Sequence, residues 1–183
     1  MIKIDFNGKE YELRNTISEI TIEEFECIML ILSKENENIF TKWMEIVSII
    51  GLDQDVIDNI DVDSFLELTT QFEFNKIDGE IQKEIEIDGV IYSCYSGDTF
   101  KLKMKDLKKI EDIIKKNVYY FSTLCAFLYT RKDFSETENL EKEHILYKKE
   151  FFKNQKVELL IPILNVINES LIKKVNLLIN GNN

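Results

Sequence analysis

The sequence predicts an α+β fold that is predominantly helical, and three observations lead to this class. Two stretches, IDFNGKEYEL from Ile4 and IEIDGVIYSC from Ile85, place Asn-Gly or Asp-Gly between alternating apolar residues, which is typical of a tight β-hairpin. Most of the remaining chain carries apolar residues at helical spacing. The 183 residues include six Gly and one Pro, too few for a loop-rich or all-β protein.

The first part of the chain is predicted to form one hairpin followed by helices. The hairpin turns at Asn7-Gly8, because a type I′ turn needs positive φ at both central residues. Thr21 and Glu24 form a capping box that opens the first helix. The apolar spacing predicts helices at residues 21–32, 40–50 and 61–72, the last capped by Asp61 or Asp63, with a short helix or turn at 53–60.

The middle of the chain has a β pattern and the remainder is helical again. A second hairpin turns at Asp88-Gly89, and alternation in Phe100–Met104 predicts a third, half-exposed strand. Helices are then predicted at residues 107–114, 119–129, 140–153 and 157–179, with a loop at 130–139 and Pro162 near the start of the last helix.

The two halves are similar enough to suggest an internal duplication. At an offset near 81, Ile20–Ile28 aligns with Leu102–Ile110, and Phe40–Val47 aligns with Phe121–Leu128. Each half would then be a hairpin–helix–helix unit, followed by C-terminal helices. Chance agreement of two such units is the alternative. The predicted division is residues 1–76 and 77–183, either as two units or as one compact domain.

The charge limits the classes of partner. The net charge is −11 and the isoelectric point about 4.7. Duplex nucleic acid is disfavoured as the main partner, since phosphate contacts need clustered Lys and Arg, and an anionic membrane surface is disfavoured for the same reason. Solubility is the plainest interpretation of the acidic balance.

The cysteines and the apolar runs predict the compartment. Cys27, Cys94 and Cys125 are an odd number without motif spacing, which favours buried free thiols in a reducing compartment. The opening residues MIKIDFNGKE lack a signal-peptide apolar region, and the longest apolar runs are too short to span a bilayer. We expect a soluble, intracellular protein.

No catalytic, cofactor-binding or metal-ligating residue is predicted. The acidic stretch from Asp53 to Phe65 fits no register of an EF-hand loop, and no phosphate-cradling glycine motif is present. His144 is the single histidine and has no partner at metal-ligand spacing. A Cys125–His144 nucleophilic pair is conceivable, but Cys125 lies in an apolar stretch that is typical of a core helix.

A lysine-rich stretch stands out in this acidic chain. It carries Lys101, Lys103, Lys105, Lys108 and Lys109, with two further lysines at positions 115 and 116. One interpretation is a docking patch for an acidic partner or for nucleic acid. The other is the solvated face of a strand and a helix, since acidic residues at 106, 111 and 112 are interleaved.

The stretches IKIDFNGKEYEL, ITIEEFECIMLI and KDLKKIEDIIKKNVYYFSTLCAFLYT together resemble a known family. Small morphogenesis proteins of tailed bacteriophages, of the tail assembly chaperone or small baseplate-assembly type, begin with a similar hairpin and helix start. The resemblance covers residues 2–130 and contains no catalytic signature. It implies a non-enzymatic structural or assembly protein that contacts other phage structural proteins.

The resemblance also implies a place of action and leaves one alternative. We expect the protein in the host cytoplasm during assembly, either released afterwards or retained in the virion, and homo-oligomerisation is compatible with this role. The predicted contact surfaces are the edge of the Ile85–Met104 sheet and the last helix. The alternative is a small intracellular phage-encoded regulator or inhibitor that binds a host protein through its acidic surface.

Overall fold

The Asn7-Gly8 turn forms as predicted and joins the first two strands, β1 (Ile2–Phe6) and β2 (Lys9–Leu13). The computed structural model describes residues 2–72, 80–94, 108, 109, 112, 113, 115 and 120–165. Both turn residues have positive φ, 54° for Asn7 and 79° for Gly8. The Asp5 carboxylate accepts a hydrogen bond from the Gly8 N–H at 3.0 Å. The turn chemistry was therefore sufficient to predict this hairpin.

Four helices follow the first hairpin. Their bounds are α1 (Ile22–Ser33), α2 (Ile39–Ile49), α3 (Gln54–Asn59) and α4 (Val62–Thr70), with a 3₁₀ turn at Ile17–Glu19 before them. The predicted capping box is confirmed, because the Thr21 hydroxyl accepts from the Glu24 N–H at 3.2 Å and Glu24 accepts from the Thr21 N–H at 2.8 Å. Asp61 caps α4 by accepting from the Ser64 N–H at 2.9 Å.

The second hairpin repeats the turn of the first. Strands β3 (Glu84–Ile87) and β4 (Val90–Cys94) pair in antiparallel register around Asp88 and Gly89, whose φ angles are 50° and 79°. The hairpin part of the proposed duplication is thus present in both halves. Its aligned segment Leu102–Ile110 lies mainly outside the described residues, so the duplication as a whole stays a prediction.

The predicted end of the apolar helix is wrong by one residue. The helix α5 (Phe121–Leu128) stops before Tyr129, and Tyr129–Thr130 form a strand, β5, that pairs with β4. The Tyr129 hydroxyl donates to the Gln82 carbonyl at 2.7 Å, a long-range contact that the helical spacing does not reveal. The predicted third strand at Phe100–Met104 and the helix at 107–114 lie mostly outside the described residues.

The C-terminal part is helical, as predicted. A short helix α6 (Glu136–Asn139) lies within the segment predicted as a loop, because Ser135 and Glu138 form a reciprocal cap. It is followed by α7 (Lys142–Lys153), a 3₁₀ turn at Val157–Leu159, and helical residues 161–165. The rest of the predicted last helix lies outside the described residues. No helix in the described ranges is long and apolar enough to cross a membrane.

One hydrophobic core contains residues from both sides of the predicted boundary at 76/77. Helix α1 packs against α5 and α7. The Ile22 N–H donates to the Gln155 carbonyl at 2.8 Å, and the Val157 N–H donates to the Ile20 carbonyl at 3.1 Å. The structure is therefore an α+β fold, predominantly helical, with small antiparallel sheets, which confirms the predicted class.

Candidate functional site

Exposed large apolar side chains concentrate on the helices of the first part of the chain. On α2, Ile39, Phe40 and Met44 are 58%, 42% and 36% exposed. Residues four apart lie on the same side of a helix, so Phe40 and Met44 form a stripe along the outside of α2. Further exposed apolar side chains are Met29 and Leu32 on α1 and Val62 and Leu66 on α4. Such a concentration is typical of an interaction surface.

A groove of about 390 Å³ lies along this stripe, and we call it the α2 groove. Its lining consists of three apolar side chains, Ile31, Met44 and Ile49, and four polar ones, Thr41, Glu45, Ser48 and Gln54. These residues come from α1, α2 and the start of α3. The lining is thus mixed, with apolar side chains from α1 and α2 beside polar ones from α2 and α3.

Contacts on the other sides of α2 hold the groove in place. Trp43 stacks on Phe72 with ring centroids 5.8 Å apart, on the side of α2 where Ile46 and Val47 are buried. The Arg14 guanidinium donates to the Ile49 carbonyl at 2.9 Å and satisfies the C-terminal end of the helix. Lys34 of the α1 C-cap pairs with Glu45 at 2.9 Å and joins α1 to α2 beside the groove.

The groove lies in the part of the chain that carries the whole net charge. Residues 1–72 contain 16 Asp and Glu against five Lys and Arg, a net charge of −11. Residues 73–183 contain 18 of each kind and are neutral overall. From residue 43 to residue 72 there is no Lys or Arg. The field around α2, α3 and α4 is therefore strongly negative.

Few cations remain available to neutralise this surface. Four of the five basic residues in 1–72 are already paired with carboxylates of the same part of the chain: Lys3, Lys9, Arg14 and Lys34. On α3, by contrast, the exposed Asp55 and Asp58 have no ion-pair partner among the described residues, and the same holds for Asp63 and Glu67 on α4. These exposed carboxylates of α3 and α4 are thus uncompensated within the part of the chain that the structure describes.

The lysine-rich stretch is described only in part. Lys108 is exposed, whereas Lys109 is partly buried with its ammonium 5.8 Å from the centre of the Phe127 ring. Lys109 therefore packs against α5 through a cation–π contact. Lys101, Lys103 and Lys105 lie outside the described residues, so the predicted docking patch stays a prediction.

The single histidine lies in an aromatic cluster rather than in a catalytic arrangement. The His144 ring stacks against Tyr92 with centroids 5.7 Å apart and tilts against Phe134 at 5.1 Å. Burial, together with the positive charges of Lys148 and Arg131, lowers the pKa of His144. Within the described ranges, no group of three or more His, Cys, Asp or Glu side chains could hold a metal ion.

The conceivable Cys125–His144 pair does not match an activated thiol. Cys125 is fully buried in α5, and burial raises the pKa of its thiol far above the usual value. A nucleophilic cysteine needs the opposite, a lowered pKa and access to substrate. Cys125 is accordingly a core residue.

Two buried ionisable residues were missed by the sequence interpretation. Glu26 of α1 accepts from the Ser122 N–H at 2.7 Å and from its hydroxyl at 2.9 Å, and Lys148 of α7 donates to the Tyr129 carbonyl at 2.7 Å. Both are fully buried. Helical spacing could have indicated that both residues lie on the buried face of their helix. Glu26 follows the buried Ile22 by four residues, and Lys148 precedes the buried Phe152 by four.

Comparisons with known proteins leave the α2 groove to be interpreted from its own geometry. The chain matched no protein-family model, no curated protein and no solved structure.

Proposed function

We propose that this chain is a non-enzymatic protein that acts through protein–protein contacts in the morphogenesis of a tailed bacteriophage. The observation that carries the proposal is the exposed apolar stripe of α2, with Phe40 and Met44 beside an open groove. Exposed apolar surface of this kind favours a binding role. The phage context comes from the resemblance of residues 2–130 to small tail assembly and baseplate-assembly proteins.

The test is the composition of particles and of complexes in infected cells. We expect affinity-tagged chain to co-purify with phage structural proteins during assembly, and quantitative mass spectrometry of purified particles then gives its copy number. A copy number at or above one per particle identifies a retained component, and complexes without retention identify an assembly chaperone. Co-purification with a host protein alone, with none of the phage structural proteins, contradicts the proposal.

A second candidate is a phage-encoded regulator or inhibitor that binds a host protein. The observation that favours it is the concentration of the entire net charge in residues 1–72, because a strongly acidic surface can occupy a basic site on another protein. The same co-purification separates the two candidates. A single host partner at fixed stoichiometry, retained when late phage genes are silent, supports this second function.

A further inference from the structure

We infer that the α2 groove binds a basic amphipathic helix of a partner protein, with apolar side chains in the groove and Lys or Arg along its flanks. This inference rests on the proposed function, because it names the partner chemistry for the same surface. Shape, spacing and charge each contribute to it.

The shape favours a polypeptide segment. The groove follows the outward face of α2, where Thr41, Met44 and Ser48 line it. Phe40, which is exposed one turn before Met44, extends the apolar stripe of this helix beyond the lining. From Phe40 to Ser48 the face covers two turns, about 12 Å at the usual rise per residue. A helix with apolar residues at i, i+4 and i+7 presents a ridge of the same length, as in helix-in-groove recognition.

The charge determines the sign of that helix. Glu45 lines the groove, but it is already paired with Lys34. The uncompensated charge comes from α3, where the Asp58 carboxylate accepts from the Gln54 amide of the lining at 2.7 Å and Asp55 is exposed. Neither aspartate has an ion-pair partner in the part of the chain that the structure describes. No Lys or Arg lies between residues 43 and 72. A basic partner gains attraction here, whereas an acidic partner is repelled.

The same charge argues against a symmetric pair of these chains. An isologous dimer through the α2 groove would bring two copies of the same acidic surface together. Like charges in close contact are unfavourable, so a second copy bound in this way is not the expected occupant.

The test uses synthetic peptides and isothermal titration calorimetry on the full chain. The probes are a 20-residue Lys/Leu amphipathic helix and a Glu/Leu peptide of the same apolar pattern. We expect the basic peptide to bind with an affinity that falls as salt rises, and the acidic peptide not to bind. Equal binding of the two peptides, or no binding of the basic peptide at millimolar concentration, overturns the inference.

Two groove variants locate the site. Met44→Gln removes an apolar anchor while keeping a good helix former, and Asp58→Asn removes the negative charge that contacts Gln54 of the lining. We expect Met44→Gln to weaken basic-peptide binding about tenfold, as loss of a central anchor does, and Asp58→Asn to reduce its salt dependence. Circular dichroism melting confirms that both variants fold, and Phe40→Gln replaces Met44→Gln if the latter does not.

The matched control lies on the second hairpin, where Glu86 and Ile91 are paired across β3 and β4 and both are exposed. The variants Ile91→Thr and Glu86→Gln remove the same kinds of group away from the groove. We expect both to leave the affinity within about twofold of the original. Equal losses in groove and control variants would mean non-specific attraction to an acidic protein and would overturn the inference.

Two further measurements separate this inference from the proposed function. If Met44→Gln enters phage complexes like the original chain, the groove is not the contact surface, although the morphogenesis role stands. If the peptide binds as expected while phage complexes lack the chain, the inference about the groove is supported and the proposed morphogenesis role is contradicted. A dimer in light scattering that Met44→Gln abolishes would identify a second copy as occupant and overturn the basic-helix partner.

Discussion

At the residue scale, the least expected side chain is a lysine in the core. Lys148 is fully buried, donates to the Tyr129 carbonyl, and lies with its ammonium 5.8 Å from the centre of the Tyr92 ring. Burial lowers the pKa of Lys148 to about 8 from 10.5. One carbonyl and one ring face compensate only part of the hydration that this ammonium loses.

This lowered pKa predicts that the contribution of Lys148 to stability rises at alkaline pH. Between pH 8 and 10.5 the unfolded chain holds the Lys148 proton and the folded chain has released it, so the part of the free energy of unfolding that depends on Lys148 rises with pH across this window. The buried thiol of Cys125, whose pKa is raised, acts in the opposite direction, so the effect is measured as a difference from a variant without the lysine. The full rise is on the order of 3 kcal/mol. Urea unfolding at pH 8.0 and 9.5, compared with a variant that lacks this lysine, should show about half of this rise.

The variant Lys148→Met serves as the control for this prediction. We expect it to be more stable than the original chain at pH 7.5, because it buries a side chain of similar length without a charge. This advantage should shrink as the pH rises to 9.5, because only the original chain has the Lys148 ammonium to titrate. An identical pH dependence in the two proteins would contradict the assignment to Lys148.

At the element scale, local signals predict the hairpins and helices, while long-range contacts decide how they are completed. The turns at Asn7-Gly8 and Asp88-Gly89 and the Thr21–Glu24 cap are encoded within a few residues, and all of them form as predicted. Strand β5 could not be predicted in this way, because Tyr129 leaves the helix to pair with Cys94, 35 positions earlier in the chain.

The start of α5 is a second example of long-range completion. Its N-cap, Tyr120, makes no side-chain cap, and the first turn is instead satisfied by Glu26, which lies 96 residues earlier on α1. A cap supplied from another helix also fixes how the two helices meet. The α2 groove was missed for the same reason, since it forms only where α1, α2 and α3 meet.

Removing this cap is predicted to destabilise the fold. Glu26→Ala leaves the Ser122 N–H and hydroxyl without their acceptor inside the core, and we expect a loss of about 2–3 kcal/mol in urea unfolding. Glu26→Gln retains an acceptor oxygen and should lose less. Burial raises the pKa of Glu26 in the folded chain above its usual 4.5. The contribution of the carboxyl to the free energy of unfolding is therefore complete below pH 4.5, and it is lost as the pH rises through the raised pKa of the folded chain.

The pH dependence provides the matching check on Glu26. The difference in stability between Glu26→Gln and the original chain should favour the variant more at pH 8 than at pH 4. The reason is that only the original chain has a buried carboxyl that becomes charged at the higher pH. A constant difference between the two proteins at both pH values would show that the Glu26 pKa is not raised.

At the scale of the whole molecule, the main feature is the unequal distribution of charge. Residues 1–72 hold the full net charge of −11, and most of their basic residues are already paired. Composition reports the total charge but not which carboxylates lie beside the α2 groove, because their placement depends on how α2 and α3 pack together. The surface with its groove is therefore a property of the fold.

Self-repulsion within this part of the chain predicts a dependence on salt. Raising sodium chloride from 20 to 300 mM shortens the Debye screening length from roughly 20 Å to about 6 Å. The weaker repulsion between the carboxylates should raise the melting temperature. The variant Asp55→Asn/Asp58→Asn should melt higher at low salt and gain less from added salt. Glu86→Gln on the neutral part of the chain is the control, and an equal gain in all three proteins contradicts the prediction.

The hydrogen bonds that join Ile20 and Ile22 to Val157 and Gln155 have a consequence for synthesis of the protein. These partners lie about 135 residues apart, so the start of α1 obtains its last backbone partners only after most of the chain has left the ribosome. At usual translation rates this interval is roughly 7–27 s. During that time α1 lacks α5 and α7, two of the helices against which it packs, so part of its buried face stays exposed until they are made.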